Sequence, residues 1–441
     1  MTPSWNQYVE FVEQIREREH IAGAAVAVAQ YGSVIFQRGF GYRDIEKKLP
    51  VTPSTIFGIA SVSKSFTALA IMQLADAGLL SVDDPVIKYL PEFRLRRVDD
   101  MESIKIKHLL SHTTGLPPMR RRQDIPNFVE HLEFLANEEY ELLGAPGEYL
   151  SYCNDTFLLL GAIIERLSER IYRKYMTSNL LDALGMYRST YSIEELTRFE
   201  NVTVPYMFDK ASGQFRAQEW PVLGNFEVGG GVRSCVTDLL KYGQVFVNGG
   251  KVGDKTIVSR QGLERMVMPI YQYGRKTWYG AALSITPDHG GVTLVEHGGS
   301  QPGVAANFGF VPERGLVVAV LTNTSGVSAN LLWLGAVNTA LGLPLDMPRS
   351  EEPAYEATAA ERQRILGTYT SAEGGYLRVF EQEGELFVEV EGEEFPARMS
   401  GPAAAVYTNK IPRPLKFYLR GSEPAWAVFS GLRMLRRAEK E

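Results

Sequence analysis

Cysteine is almost missing from this chain: Cys153 and Cys235 are the only two in 441 residues. Two thiols cannot build a disulfide framework, and they suit a reducing compartment. Long apolar runs are missing as well, so no segment is predicted to cross a bilayer as a helix. The opening residues Met1 to Glu10 carry no basic stretch, apolar core or small-residue cleavage site, and the expected location is cytoplasmic. A formal net charge of −6 gives no reason to expect nucleic acid or an anionic membrane as partner. The pentapeptide Gly-x-Ser-x-Gly does not occur, which argues against an α/β-hydrolase. No Gly-x-Gly-x-x-Gly turn or phosphate loop occurs either, so no cofactor is implied.

What is present is an ordinary globular composition, 45% hydrophobic and 22% charged, in a chain long enough for a large core and a second, smaller domain. Trp5 to about His20 reads as an amphipathic helix. Ala24–Ala29 and Val34–Phe40 read as a hairpin turning at Gln30-Tyr31-Gly32-Ser33. Helices are predicted at Ile106–Ser111, Asp155–Leu167, Leu239–Asn248 and Ser259–Met268. Strands return at Tyr279–Ile285, Val292–Glu296, Ala305–Val311 and Leu316–Thr322, before a helix at Ser328–Leu341. This order predicts one sheet closed by the two ends of the region, with helices between. Residues 343–360, with three prolines, read as a linker. Beyond them short alternating segments (Tyr376–Phe380, Glu385–Val390, Ala404–Thr408, Lys416–Leu419, Ala425–Phe429) predict a small antiparallel barrel or sandwich.

The stretch Gly58–Met72 stands apart because it predicts a helix apolar on most faces, with Ser61 and Lys64 one turn apart at its start. A serine hydroxyl needs a base to become a nucleophile, and an amine desolvated at the mouth of a buried helix can serve. Ser-x-x-Lys alone is weak, since chance supplies it about once in such a chain. Two companions strengthen it. Tyr152-Cys153-Asn154 follows Pro146-Gly147-Glu148 and precedes a predicted helix, so a phenol and an amide can reach one cleft. Without further context, Asn154 or Asp155 would simply cap that helix while Tyr152 packs. His297-Gly298-Gly299-Ser300 ends a predicted strand, and its glycines leave room for another backbone beside them. The similar His289-Gly290-Gly291 falls in a turn.

Ser61-x-x-Lys64, Tyr152-x-Asn154 and His297-Gly298-Gly299, in this order, resemble the three motifs of the serine β-lactamase and penicillin-binding-protein superfamily. The nearest branch is that of class C β-lactamases, D-aminopeptidases, DD-peptidases and related esterases. Secondary landmarks agree: Ile106 to Pro117, Leu184-Gly185-Met186, and Gly229-Gly230-Gly231 with Asp238. The resemblance implies an α+β fold, mixed α/β in class, with an antiparallel sheet flanked by helices plus a helical region. It implies a hydrolase domain over 1–342 and, after the linker 343–360, a lipocalin-like β-barrel over 361–441 that can wall the cleft or build oligomers. It further implies Ser61 as nucleophile of an acyl-enzyme, Lys64 in its proton network and Tyr152 as general base, although which of the two takes the proton is disputed across the superfamily. Asn154 would bind a substrate amide, His297, Gly298 and Gly299 would line the substrate strand, and Ser300 would join Ser61 in the oxyanion pair. Relatives that act on β-lactams usually carry lysine where His297 stands, and histidine is mostly neutral at pH 7.

The function implied is therefore a serine hydrolase, a peptidase or amidase for short or D-residue-containing peptides. Alternatives are a carboxylesterase, a weak β-lactamase or DD-carboxypeptidase, and a non-catalytic acylation-dependent sensor. The expected partners are a small-molecule or short-peptide substrate and a homo-oligomer. A zinc site on His108 and His112 is disfavoured because Leu109 stands where a helical zinc peptidase needs glutamate, so these histidines are expected to brace the helix end near Thr113, and no metal is implied.

Overall fold

Strict alternation along the central strands decides the architecture. In Leu316–Thr322, Val317, Ala319 and Leu321 join one apolar cluster while Leu316, Val318 and Val320 join another on the opposite face. A sheet covered on both sides follows, and the computed structural model, which describes residues 4–120, 122 and 124–438, shows it. Nine antiparallel strands are involved: β1 (Gly23–Gln30), β2 (Ser33–Asp44), β3 (Leu49–Pro50), β4 (Tyr271–Gln272), β5 (Trp278–Tyr279), β6 (Ser284–His289), β7 (Val292–Gln301), β8 (Val304–Val311) and β9 (Leu316–Thr322). Their order is β4-β5-β6-β7-β8-β9-β1-β2-β3, so β1 pairs with β9 and the two ends of this region close one sheet.

One face is covered by helices α1 (Trp5–Arg18) and α6 (Ala329–Leu341), tied by Tyr8 Oη donating to Leu332 O at 2.9 Å. The other face packs on the helical region, which includes α2 (Ser63–Asp76), α3 (Ile106–Leu110), α4 (Asn154–Ser168) and α5 (Val236–Val247). Eleven of the fourteen residues of α2 are buried, including Ser63, Lys64, Ser65 and Thr67. Such a helix cannot expose a face to water, and its polar groups bond locally: Ser65 Oγ donates to Val62 O at 2.8 Å and Thr67 Oγ1 to Val228 O at 2.6 Å.

After coil through residues 350–358, a short helix Ala359–Ile365 leads into a closed barrel of eight antiparallel strands. These are β10 (Gly367–Thr370), β11 (Tyr376–Gln382), β12 (Glu385–Val390), β13 (Glu393–Gly401), β14 (Ala404–Asn409), β15 (Ile411–Tyr418), β16 (Ala427–Ser430) and β17 (Arg433–Arg437). The choice between barrel and sandwich is thus resolved in favour of closure. The barrel has its own core around Tyr369, Val388, Leu415 and Val428. A separate apolar cluster joins Ala427, Phe429 and Met434 of the barrel to Leu143, Leu150, Tyr152 and Tyr279 of the preceding region. Residues 1–3 and 439–441, at the outer ends of the two expected units, lie outside the described residues. No helix among the described residues is long and apolar enough to cross a membrane.

Candidate active site

Ser61 sits in a 3-10 turn, Ala60–Val62, that runs straight into α2. Ala60 before it has φ 46°, a left-handed conformation that costs a residue with a Cβ roughly 1–2 kcal/mol. The approach is held in place by Phe57 and Gly58 pairing with Ser234 and Arg233, and by Ile59 N donating to Val232 O at 3.1 Å. Lys64, 1% exposed, donates from Nζ to Ser61 Oγ at 3.4 Å and to Gly229 O at 3.0 Å. The amine also lies 4.9 Å from the ring centre of Tyr152 and 5.3 Å from that of Phe157. Gly229 leaves room for the amine, because a Cβ at that position would stand 2.7 Å from Lys64 Nζ.

The third motif does not end its strand, as the sequence suggested, but lies inside it: β7 continues through His297, Gly298, Gly299 and Ser300 to Gln301. Its partner β6 stops opposite Glu296, whereas β8 pairs with β7 all the way from Val295 to Gln301. The last five residues of β7 therefore have a ladder along one edge only, and the Ser61 segment packs on the face toward which a Gly299 Cβ would point. Gly299 permits that approach. A Cβ there would fall 2.2 Å from Ile59 O and 3.1 Å from Ser61 N. Gly298 and Ser300 point away on the exposed face.

His297 is buried at 4% exposure, and its ring is fully used. Nδ1 lies 2.5 Å from Gly298 O, which can only accept, so Nδ1 carries the proton and Nε2 accepts from Tyr279 Oη at 3.1 Å. Burial, with the Lys64 charge adding to it, pushes the imidazole down to about 3. His297 is thus a neutral brace within the wall rather than a cationic anchor facing a ligand.

Tyr152 is 5% exposed and precedes α4, which begins at Asn154, one residue earlier than expected. His112 lies against its ring with centroids 4.0 Å apart and the planes tilted by 31°, and His112 Nδ1 accepts from Cys153 N at 3.3 Å. Burial first, then the Lys64 and Arg433 charges, hold His112 well below its ordinary range. Its expected role at the end of α3 is corrected: it turns into the site. His108 instead accepts from Lys105 N at 3.1 Å, at the start of α3. Asn154 donates from Nδ2 to Glu373 Oε1 at 3.5 Å.

That last contact crosses from the hydrolase region to the barrel, and others accompany it. Tyr152 N donates to Leu432 O at 2.8 Å, Met434 N donates to Ser151 Oγ at 3.1 Å, and the Arg433 guanidinium carbon lies 5.1 Å from the Tyr152 ring centre. Arg433 is bonded in turn to Glu373 at 2.5 and 3.4 Å. Neither residue stands out in the sequence, because nothing local marks side chains that reach Tyr152 and Asn154 from over two hundred positions away. His112 had a signal, in the landmark run Ile106 to Pro117.

Ser61, Lys64, Tyr152 and His297 are therefore linked through Lys64, Tyr279 and the Tyr152 ring, with Gly299 closing on Ser61. Gly298 and Ser300 flank it on the strand, and Asn154 stands at the barrel side.

A family model described as beta-lactamase matches residues 9–340. Protein flp of Staphylococcus aureus is 35% identical over 191 residues, 43% of this chain, and the match spans only 38% of that protein's length. Penicillin-binding protein 4* of Bacillus subtilis is 25% identical over 412 residues, covering 86% of each chain. Among solved structures, the octameric penicillin-binding protein homologue from Pyrococcus abyssi superposes with a TM-score of 0.74 at 27% identity, covering 98% of this chain and 100% of that one. SurE shares the fold, with a TM-score of 0.77 at 21% identity over 98% of this chain and 99% of its own.

Proposed function

The chain belongs to the beta-lactamase family, and from that premise we propose that it is a serine hydrolase that cleaves short peptides or amides, D-residue-containing ones among them, through an acyl-enzyme on Ser61. The observation that carries this reading is the edge of β7 from His297 to Gln301 beside Ser61, which has no strand partner among the described residues, since an extended peptide can add there as a further strand and satisfy its own backbone groups.

Ser61 Oγ attacks the substrate carbonyl carbon while its proton passes to the Tyr152 phenolate, and Lys64 donates to Ser61 Oγ to keep the hydroxyl in line. The oxyanion accepts from the Ser61 and Ser300 N–H groups. The C–N bond breaks as the phenol returns its proton to the departing amine. Water then enters and gives a proton to Tyr152 as its oxygen attacks the acyl carbon, and the phenol passes that proton to Ser61 Oγ as the ester bond breaks and the acid leaves. Asn154 orients the amide on the acyl side. The neutral His297 supplies no charge for the carboxylate of a β-lactam, which favours peptides over antibiotics. A homo-oligomer belongs to the same proposal, on the precedent of the octameric homologue.

Intact mass after exposure to p-nitrophenyl esters and to D- and L-amino-acid anilides tests this directly. The adduct should map to the peptide holding Ser61 and vanish in Ser61→Ala. Turnover of esters alone would exclude the peptidase reading, and labelling elsewhere would reassign the nucleophile. A single stoichiometric burst without turnover would point to a sensor.

A further inference from the structure

The Tyr152 ring is bordered by two cations from opposite parts of the chain. Lys64 Nζ lies 4.9 Å from its centre and the Arg433 guanidinium carbon 5.1 Å from it. Arg433 opens β17, and its side chain keeps 34% of its surface exposed while bonding to Glu373. The groups around the phenol come from every element packed against it: Lys64 of α2, His112 after α3, Tyr279 of β5, His297 of β7, and Arg433 and Glu373 of the barrel, with Cys153 adjacent in sequence. Burial holds both imidazoles neutral and keeps the Cys153 thiol and Tyr279 phenol protonated. The formal charges left among these groups are Lys64, Arg433 and the opposing Glu373, and the buried Asp155 of α4 adds a second negative charge that acts on Cys153. Since the third motif brings a neutral His297, the second positive charge beside Tyr152 comes from the barrel.

We propose that Arg433 is a positioning residue for Tyr152: its guanidinium, held over the ring by the C-terminal barrel, favours the phenolate that takes the Ser61 proton, and Glu373 sets how strongly that charge is felt. The proposal rests on the reading of Tyr152 as the base. It adds no reactant, because the proton leaving Ser61 Oγ resides on the phenol only until the leaving group takes it.

The two partners of one ion pair should then shift the acid limb of the kcat/KM profile in opposite directions. With p-nitrophenyl acetate and the full chain, Arg433→Gln should move that limb up by about one pH unit, the screening of a part-exposed charge holding it to that size. Arg433→Lys should restore it to within a few tenths of a unit. Glu373→Gln, which keeps the reach toward Asn154 but loses the negative charge, should move it down. Changes in KM should be small beside those in kcat. A limb that stays put in Arg433→Gln, or moves the same way in both variants, overturns the proposal, as does a rise in KM alone. The phenolate titration itself, read as the ultraviolet difference between each variant and the same variant carrying Tyr152→Phe, separates the two readings. If it moves with Arg433 while the rate limb does not, Arg433 acts on the phenol but Tyr152 is not the base. If it does not move, the role of Arg433 fails whatever the base.

Discussion

Gly299→Ala probes the closest approach in the site. The added Cβ would stand 2.2 Å from Ile59 O, whereas ordinary contact begins at 3.4 Å, so β7 and the Ser61 segment must separate by about 1.2 Å. Neither side yields by rotating a side chain, because both contacts are backbone. The strand is fixed by its register with β8, and the Ser61 approach by its pairing with Arg233 and Ser234. Oxyanion donors act only within about 2.7–3.1 Å of the developing charge, and a misplacement of about 1 Å costs about 100-fold. We therefore expect kcat/KM to fall by about 100- to 1,000-fold on esters and anilides alike. Overpacking should cost about 1–3 kcal/mol, leaving a cooperative urea transition at a lower midpoint. Gly298→Ala is the control: its Cβ meets the Asn307 amide oxygen at 3.2 Å on the other face, and it should lose less than about tenfold. A folded Gly299→Ala protein within about threefold of the parent would refute the idea that this spacing governs the chemistry.

Gly229→Ala places a Cβ 2.7 Å from Lys64 Nζ, the movable end of a side chain, so acylation should slow by about 10- to 100-fold with little change in urea stability. A loss of stability without a loss of rate would show that the amine is structural. Acid should destabilise the protein through its buried histidines. His297 stays neutral when folded, with its value pushed down to about 3, yet takes a proton when unfolded below its ordinary value. The unfolded state then binds more protons, so stability is complete above about pH 6.5 and falls as the pH drops, by about 2 kcal/mol at pH 5 for this one group. His297→Gln offers one donor and one acceptor without a charge, and should lose correspondingly less between pH 7.5 and 5 in urea titrations. Identical pH slopes would contradict the burial argument.

The three motifs were legible because each is a local device: an amine one turn from a hydroxyl, a phenol before a helix, and glycines where a backbone comes close. Extent was less legible than identity. Glycines read as the end of β7, yet β8 supplies a full ladder along one edge, and it is the close approach of Ser61 on the face that excludes a side chain at Gly299. Tyr279–Ile285 read as one strand but breaks into β5 and β6 around Gly280, whose missing Cβ would collide with Met266 O. In the barrel, the strands Gly367–Thr370, Glu393–Gly401 and Arg433–Arg437 did not stand out, because exposed or charged side chains dilute their alternation. Closure of the barrel, and the turn it lends to Tyr152, arise from pairings that no short window contains.

That borrowed turn sets the barrel against Tyr152, and Ser151→Ala tests whether the barrel completes the site or only stabilises it. Ser151 and Met434 are each 1% exposed, so removing the Ser151 hydroxyl leaves Met434 N buried and unpaired, at about 1–3 kcal/mol. The neighbouring bond from Tyr152 N to Leu432 O ends on a residue with φ 70°, a conformation that surrounding contacts must enforce. Loosening should therefore begin where the barrel meets Tyr152 and spread to the phenol and to Arg433 above it. Tyr8→Phe makes a comparison at the far side of the sheet, where it removes a buried bond to Leu332 O and should cost about 1 kcal/mol. If the barrel only stabilises, both variants should lose urea stability and keep kcat/KM. If it completes the site, Ser151→Ala alone should lower kcat/KM by about tenfold or more, at a temperature where both remain folded.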